Sequence, residues 1–131
     1  ITLTVNCEED LVFMTNQESL KHILINLIQN AVDAITVTPG RVIITAELID
    51  TGRLELKVKD NGCGIKKEDM ASLFNPFFTT KEPGKGTGLG LYIVYSEIEN
   101  IGGTIEVESE EGRGACFTIR LPEIENEVKK A

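Results

Sequence analysis

Residues 79–91 read TTKEPGKGTGLGL, a glycine-rich loop that runs directly into an apolar helical pattern. Gly84, Gly86, Gly88 and Gly90 let the backbone approach a ligand with no Cβ in the way. The helix that begins near Gly88 presents unpaired N–H groups carrying about half a positive charge. Phosphate suits such a junction. Lys81 and Lys85 add cations, and Thr87 adds a hydroxyl beside the same donors. The alternative is a flexible loop whose glycines only permit a turn, and the loop alone does not decide between the two.

Two common phosphate motifs fail on spacing. A P-loop needs G-x-x-x-x-G-K-[ST], but Thr79 stands five positions before Gly84, and Lys85 is followed by Gly86. A dinucleotide fingerprint needs a third glycine where Leu89 or Leu91 stands, and a strand immediately before the motif. Any nucleotide is therefore held on another fold.

Downstream of the loop, residues 88–100 predict a helix with Leu89, Ile93, Val94, Ile98 and Ile101 facing a core, closed by Gly102 and Gly103. Residues 104–109 and 115–121 read as a hairpin stopped by Pro122, and 123–131 as a frayed tail. Upstream lie an aromatic segment, 74–78, and a short helical piece, 67–73. Two strands, 41–49 and 53–60, join across Asp50, Thr51 and Gly52. Before them, Thr15 with Glu18 forms a capping-box pattern. It opens a helix with an apolar stripe of Leu20, Ile23, Leu24, Leu27, Ile28, Ala31 and Ile35. His22, Asn26, Asn30 and Asp33 line its other face. Residues 1–5 and 11–15 read as two further strands around a turn. Strands and helices in separate blocks predict an α+β fold: a two-layer α/β sandwich whose mixed or largely antiparallel sheet is covered on one face by helices.

At 131 residues the chain fits one domain, 1–131, with no internal repeat or boundary. No apolar run approaches a membrane span and no signal peptide is visible. The net charge of −8 argues against nucleic acid as a partner. Cys7, Cys63 and Cys116 are odd in number and lack a C-x-x-C pair, so a reducing cytoplasm suits them better than a disulfide or zinc framework.

Four motifs in order resemble the GHKL superfamily of ATP-binding domains, specifically the catalytic and ATP-binding domain of sensor histidine kinases. They are NLIQNA at 26–31, DNGCG at 60–64, FNPFFTTK at 74–81 and GKGTGLGL at 84–91. Any one is weak; four in order, covering nearly the whole chain, form a specific signal. The resemblance implies a Bergerat-type fold with an ATP lid over residues 66–86 that is mobile without nucleotide. It implies ATP and Mg²⁺ as ligands, with Asn30 as the Mg²⁺ ligand and Asp60 as the acceptor for the adenine amine. Asn26, Asp33, Ala34, Gly62, Gly64, Ile65, Thr80, Lys81, Gly84, Gly86, Thr87, Gly88, Leu89, Gly90 and Thr118 complete the implied nucleotide site. Within it Lys81 contacts the γ-phosphate, and Thr118 supports the adenine and Asp60 through water.

These residues also carry plainer readings. Asn30 could be a solvated helix amide and Asp60 a turn former in D-N-G. Phe74, Phe77 and Phe78 could be core, and Thr118 an ordinary β-branched strand residue. Taken with the resemblance, the function expected is donation of the γ-phosphoryl group of ATP to a histidine. That histidine lies on a separate dimerisation and phosphoacceptor domain, and a response regulator follows downstream. His22 is not the acceptor, since it precedes Ile23 rather than an acidic residue. Asn26 stands where hydrolytic relatives place a water-activating Glu, so it enters as a catalytic position without a base. The implied context is cytoplasmic, monomeric as an isolated domain and homodimeric in the parent, without direct membrane contact. The rivals are a GHKL ATPase clamp of the gyrase or mismatch-repair type and a nucleotide-sensing module without turnover.

Overall fold

The computed structural model describes residues 1–36, 39–50, 52–78 and 89–123. The elements are β1 Thr2–Cys7, α1 Gln17–Ala34, β2 Arg41–Asp50, β3 Arg53–Asp60, a 3-10 helix Lys67–Ser72, α2 Gly90–Asn100, β4 Thr104–Ser109 and β5 Ala115–Pro122. The strands form one sheet in the order β1-β2-β3-β5-β4. Only the β1–β2 pair is parallel. The sheet is thus mixed and mostly antiparallel.

Strand alternation separates two faces. Val42, Ile44, Leu54, Leu56, Val58, Ala115, Phe117, Ile119 and Leu121 are buried on the face that meets the helices. In α1 the buried residues Ile23, Leu27 and Ala31 recur every four positions, and in α2 Val94 and Ile98 do the same. The opposite sheet face is polar: Arg120 pairs with Glu55 at 3.0 Å and with Glu106 at 3.0 Å. One apolar layer between sheet and helices therefore carries the fold. Leu27→Ala removes a side chain from its centre and is expected to cost about 2–5 kcal/mol, read by urea denaturation.

Three local expectations are corrected. Residues 11–15 form no strand. Leu11 and Phe13 pack on the core while Val12 and Met14 face outward, so their alternation marks an extended segment laid over the core. With β2 as its ladder partner, β1 makes no hairpin with that segment. Asn16, not Thr15, caps α1, its side chain accepting from the Ser19 N–H at 3.0 Å. Thr15 Oγ1 is buried without a hydrogen-bond partner among the described residues. Ile93, predicted to face the core, is exposed, because α2 offers the sheet only the stripe through Val94 and Ile98.

Candidate nucleotide site

β3 ends at Asp60, a residue only 6% exposed. The alternation that buries Leu54, Leu56 and Val58 carries Asp60 to the helix face, where a charge is costly. Burial pushes its pKa above the ordinary carboxylate value, and backbone N–H groups of Gly62 and Ala115 pull against that shift. The Gly62 N–H donates to Oδ1 at 2.8 Å. A buried carboxylate held by neutral donors is suited to accept from an uncharged amine.

The turn after Asp60 is built around contacts that exclude side chains. A Cβ on Gly62 would stand 2.5 Å from the Ala34 carbonyl oxygen at the end of α1. The Cys63 N–H donates to that same oxygen at 2.8 Å, so Ala34 anchors the turn through its backbone. Gly64 has φ +73, and a Cβ there would collide with the Glu110 carbonyl oxygen. Asn61 ties the turn to the start of β2, accepting from the Arg41 N–H at 2.7 Å and donating to the Pro39 carbonyl at 2.8 Å.

Two further residues complete this end of the sheet, and neither was in the sequence-derived set. Ser109 Oγ accepts from the Ile65 N–H at 2.8 Å and donates to the Gly114 carbonyl at 2.7 Å, joining the turn to the β4–β5 hairpin. Gly114 has φ +88, and a Cβ on it would meet the Asp60 carbonyl oxygen. The only sequence signal was the G-x-G spacing of Gly112 and Gly114, which reads as an ordinary hairpin turn.

The helices run antiparallel here. His22 Nδ1 lies 3.1 Å from Glu97 Oε1 near the far end, and Asn26 meets the first residue of α2. Asn26 Nδ2 donates to the His22 carbonyl at 2.8 Å, and its Oδ1 lies 3.3 Å from where a Cβ on Gly90 would stand. Glu97 is held below the ordinary carboxylate value by hydrogen bonds from Ser19, first, and His22. Leu89 occupies the N-cap position of α2, where its side chain makes no cap hydrogen bond. Asn30 follows Asn26 by one turn, half-buried on the same face of α1. Asp33, exposed at the next-to-last position of α1, accepts from Gln29 Nε2 at 2.8 Å.

The structure joins Ala34, Asp60, Gly62, Gly64 and Ile65 in the turn where β3 meets the end of α1, and sets Asn26 against Gly90 at the start of α2. It does not bring Thr118 to Asp60. In the β3–β5 register Thr118 faces Lys57, whereas Asp60 faces Ala115, and adjacent positions of a strand point to opposite faces. The expected water link between Thr118 and Asp60 is corrected accordingly. Thr80, Lys81, Gly84, Gly86, Thr87 and Gly88 lie outside the described residues, as does most of the predicted lid's C-terminal part.

The arrangement fits a nucleotide in two respects: the buried acceptor at Asp60 matches an adenine amine, and the α2 start matches phosphate. Asn30 offers a neutral oxygen of the kind a hard divalent cation accepts.

Known proteins are similar to this chain in sequence and in fold. The profile of the family described as "Histidine kinase-, DNA gyrase B-, and HSP90-like ATPase" matches residues 15–125. Sporulation kinase E of Bacillus subtilis (strain 168) is 40% identical over 107 residues, covering 82% of this chain and 14% of that kinase. Sensor histidine kinase ZraS of Klebsiella oxytoca is 39% identical over 123 residues, covering 93% of this chain and 26% of its own length. The chain therefore spans a minor part of these curated relatives. Among solved structures, full-length ShkA in complex with AMPPNP superposes with a TM-score of 0.82 at 32% identity, covering 95% of this chain and 26% of ShkA. The nucleotide-free catalytic domain of histidine kinase ThkA gives 0.78 at 36% identity, covering 92% of this chain and 78% of that one. With the buried Asp60, the glycine turn packed on α1 and the Asn-bearing helix all in place, the chain belongs to the histidine kinase-, DNA gyrase B- and HSP90-like ATPase family, as the GHKL ATPase domain of a histidine kinase.

Proposed function

We propose that this domain binds Mg²⁺-ATP and donates the γ-phosphoryl group to a histidine on the dimerisation and phosphoacceptor domain of its parent kinase, from which a response regulator takes it. The observation that carries the reading is the buried Asp60 carboxylate, aimed at the helix layer and braced by Gly62. Asp60 accepts from the adenine amine and so orients the nucleotide, placing its phosphates toward the start of α2. Asn30 would hold the Mg²⁺, which supplies neutralisation of the phosphate charge. Lys81 and Thr87 of the glycine-rich loop would add a cation and a hydroxyl. Catalysis on this reading is positioning and charge stabilisation, with no covalent enzyme intermediate.

Asn26 bears on the choice between kinase and hydrolase. Its amide donates to the His22 carbonyl beside Gly90, and an amide cannot take a proton from water. The site then holds ATP without its own base, and deprotonation falls to the incoming histidine's environment. The domain acts in the cytoplasm, as a monomer when alone, without touching membrane or nucleic acid.

The test is a phosphotransfer assay with γ-labelled ATP. The cognate acceptor domain supplied in trans is expected to become labelled while the isolated domain does not. Intrinsic ATP turnover should fall well below the ~1–100 s⁻¹ of protein kinases. Rapid hydrolysis without transfer would favour the clamp ATPase, and binding with neither reaction would favour a nucleotide sensor.

A further inference from the structure

The two edges of the sheet are guarded differently. β4 carries Glu106 and Glu108 on its outer face, charges of the kind that discourage further strand pairing. β1, at the other edge, has the sequence TLTVNC, without a charge, a proline or a glycine, and every one of its side chains is exposed. Leu3 is 52% and Val5 62% exposed although both lie on the helix side of the sheet, opposite buried Val42 and Ile44 in register. No described residue pairs with its free side.

The backbone pattern identifies the free groups. The Thr2 N–H donates inward to the Gly40 carbonyl at 2.9 Å, so alternation turns Thr2, Thr4 and Asn6 toward β2. The N–H and C=O groups of Leu3, Val5 and Cys7 then point away from the sheet. Immediately after β1 come Glu8, Glu9 and Asp10, all exposed. An uncharged, apolar strand edge ending in an acidic cluster has a definite complement.

We propose that β1 is a docking edge for an extended segment of a partner domain, one with alternating apolar residues and basic residues at its N-terminal end. The segment adds antiparallel to β1, its backbone bonding Leu3, Val5 and Cys7, its apolar side chains covering Leu3 and Val5, and its basic end meeting Glu8, Glu9 and Asp10. The antiparallel sense has the slightly more stable ladder. A second copy of this chain is disfavoured, since each carries a net charge of −8.

The probe is a fluorescein-labelled peptide KRTVTVTV, followed by anisotropy against the whole chain. It should bind, and the acidic counterpart EETVTVTV should bind at least about tenfold more weakly. Val5→Pro removes an outward N–H without touching the β2 ladder, and should abolish peptide binding while ATP affinity stays unchanged. Should Val5→Pro unfold the domain, the combined Glu8→Lys, Glu9→Lys and Asp10→Lys variant decides, because it lies outside every strand. It should lose KRTVTVTV and gain EETVTVTV. Absence of peptide binding, binding indifferent to both variants, or sedimentation as a dimer broken by Val5→Pro would each overturn the proposal. ATP affinity, read in parallel, keeps this outcome separate from that of the phosphotransfer reading.

Discussion

Asp60→Asn is expected to leave the domain folded while lowering ATP affinity by about ten- to a hundredfold. A hydrogen bond to a charged acceptor contributes roughly 1.5–3 kcal/mol, and the amide supplies only a weaker neutral acceptor. Stability should move the other way. Because burial raises the folded-state pKa of Asp60, this group's contribution to stability is fully present below the unfolded pKa and lost as pH rises through the folded value. At neutral pH the ionised carboxylate is therefore a cost, which the near-isosteric amide relieves while its oxygen can still accept from the Gly62 N–H. Thermal unfolding should show an unchanged or higher Tm for the variant at pH 7, with the difference shrinking toward acid. Calorimetry should show the affinity loss. A variant that binds ATP as tightly as the parent would remove Asp60 from the adenine site.

Gly114→Ala is expected to be the more damaging change, although it adds one methyl group. The residue has φ +88, and its Cβ would run into the Asp60 carbonyl oxygen, which is backbone and cannot swing aside. Strain of this kind costs about 1–3 kcal/mol, and relief requires moving the end of β3 that aims the Asp60 carboxylate. Both stability and ATP affinity should fall together, in contrast to the opposed changes of Asp60→Asn. Gly112→Ala is the control: φ is +83 there too, but the space for a Cβ is open, so it should lose some stability through backbone strain with far less effect on ATP. Equal loss of affinity in the two glycine variants would mean that hairpin strain, and not displacement of Asp60, governs binding.

The contrast between these glycines bears on what could be read in advance. The D-N-G-C-G turn could be assigned from sequence because its residues are adjacent and its glycines punctuate a strand end. Gly114 lies fifty-four positions after Asp60 (114 − 60), in a turn whose spacing has an ordinary explanation. Its role exists only because β5 lies antiparallel beside β3 with Ala115 across from Asp60. Ser109 is a similar case, a strand-end hydroxyl whose two bonds join segments distant in the chain.

The same distinction explains the errors. Thr118 sits in the right strand, but its register against β3 is a long-range property, and a shift of one position sends a side chain to the other face. Residues 11–15 alternate as a strand would, yet alternation alone does not bring a segment alongside another strand, and these residues join no strand of the sheet.

By itself the sequence determined both helices, the β2–β3 and β4–β5 hairpins, the buried stripe of α1 and the four motifs, because each depends on periodicity, turn chemistry or residue identity within a few positions. The tertiary structure alone decided the parallel placement of β1, the face each strand residue occupies, and the backbone contacts among Ala34, Gly62, Glu110 and Gly114 that hold Asp60. Those depend on which distant segments become neighbours once a single apolar layer is closed between sheet and helices, and that choice is settled by packing the whole chain at once.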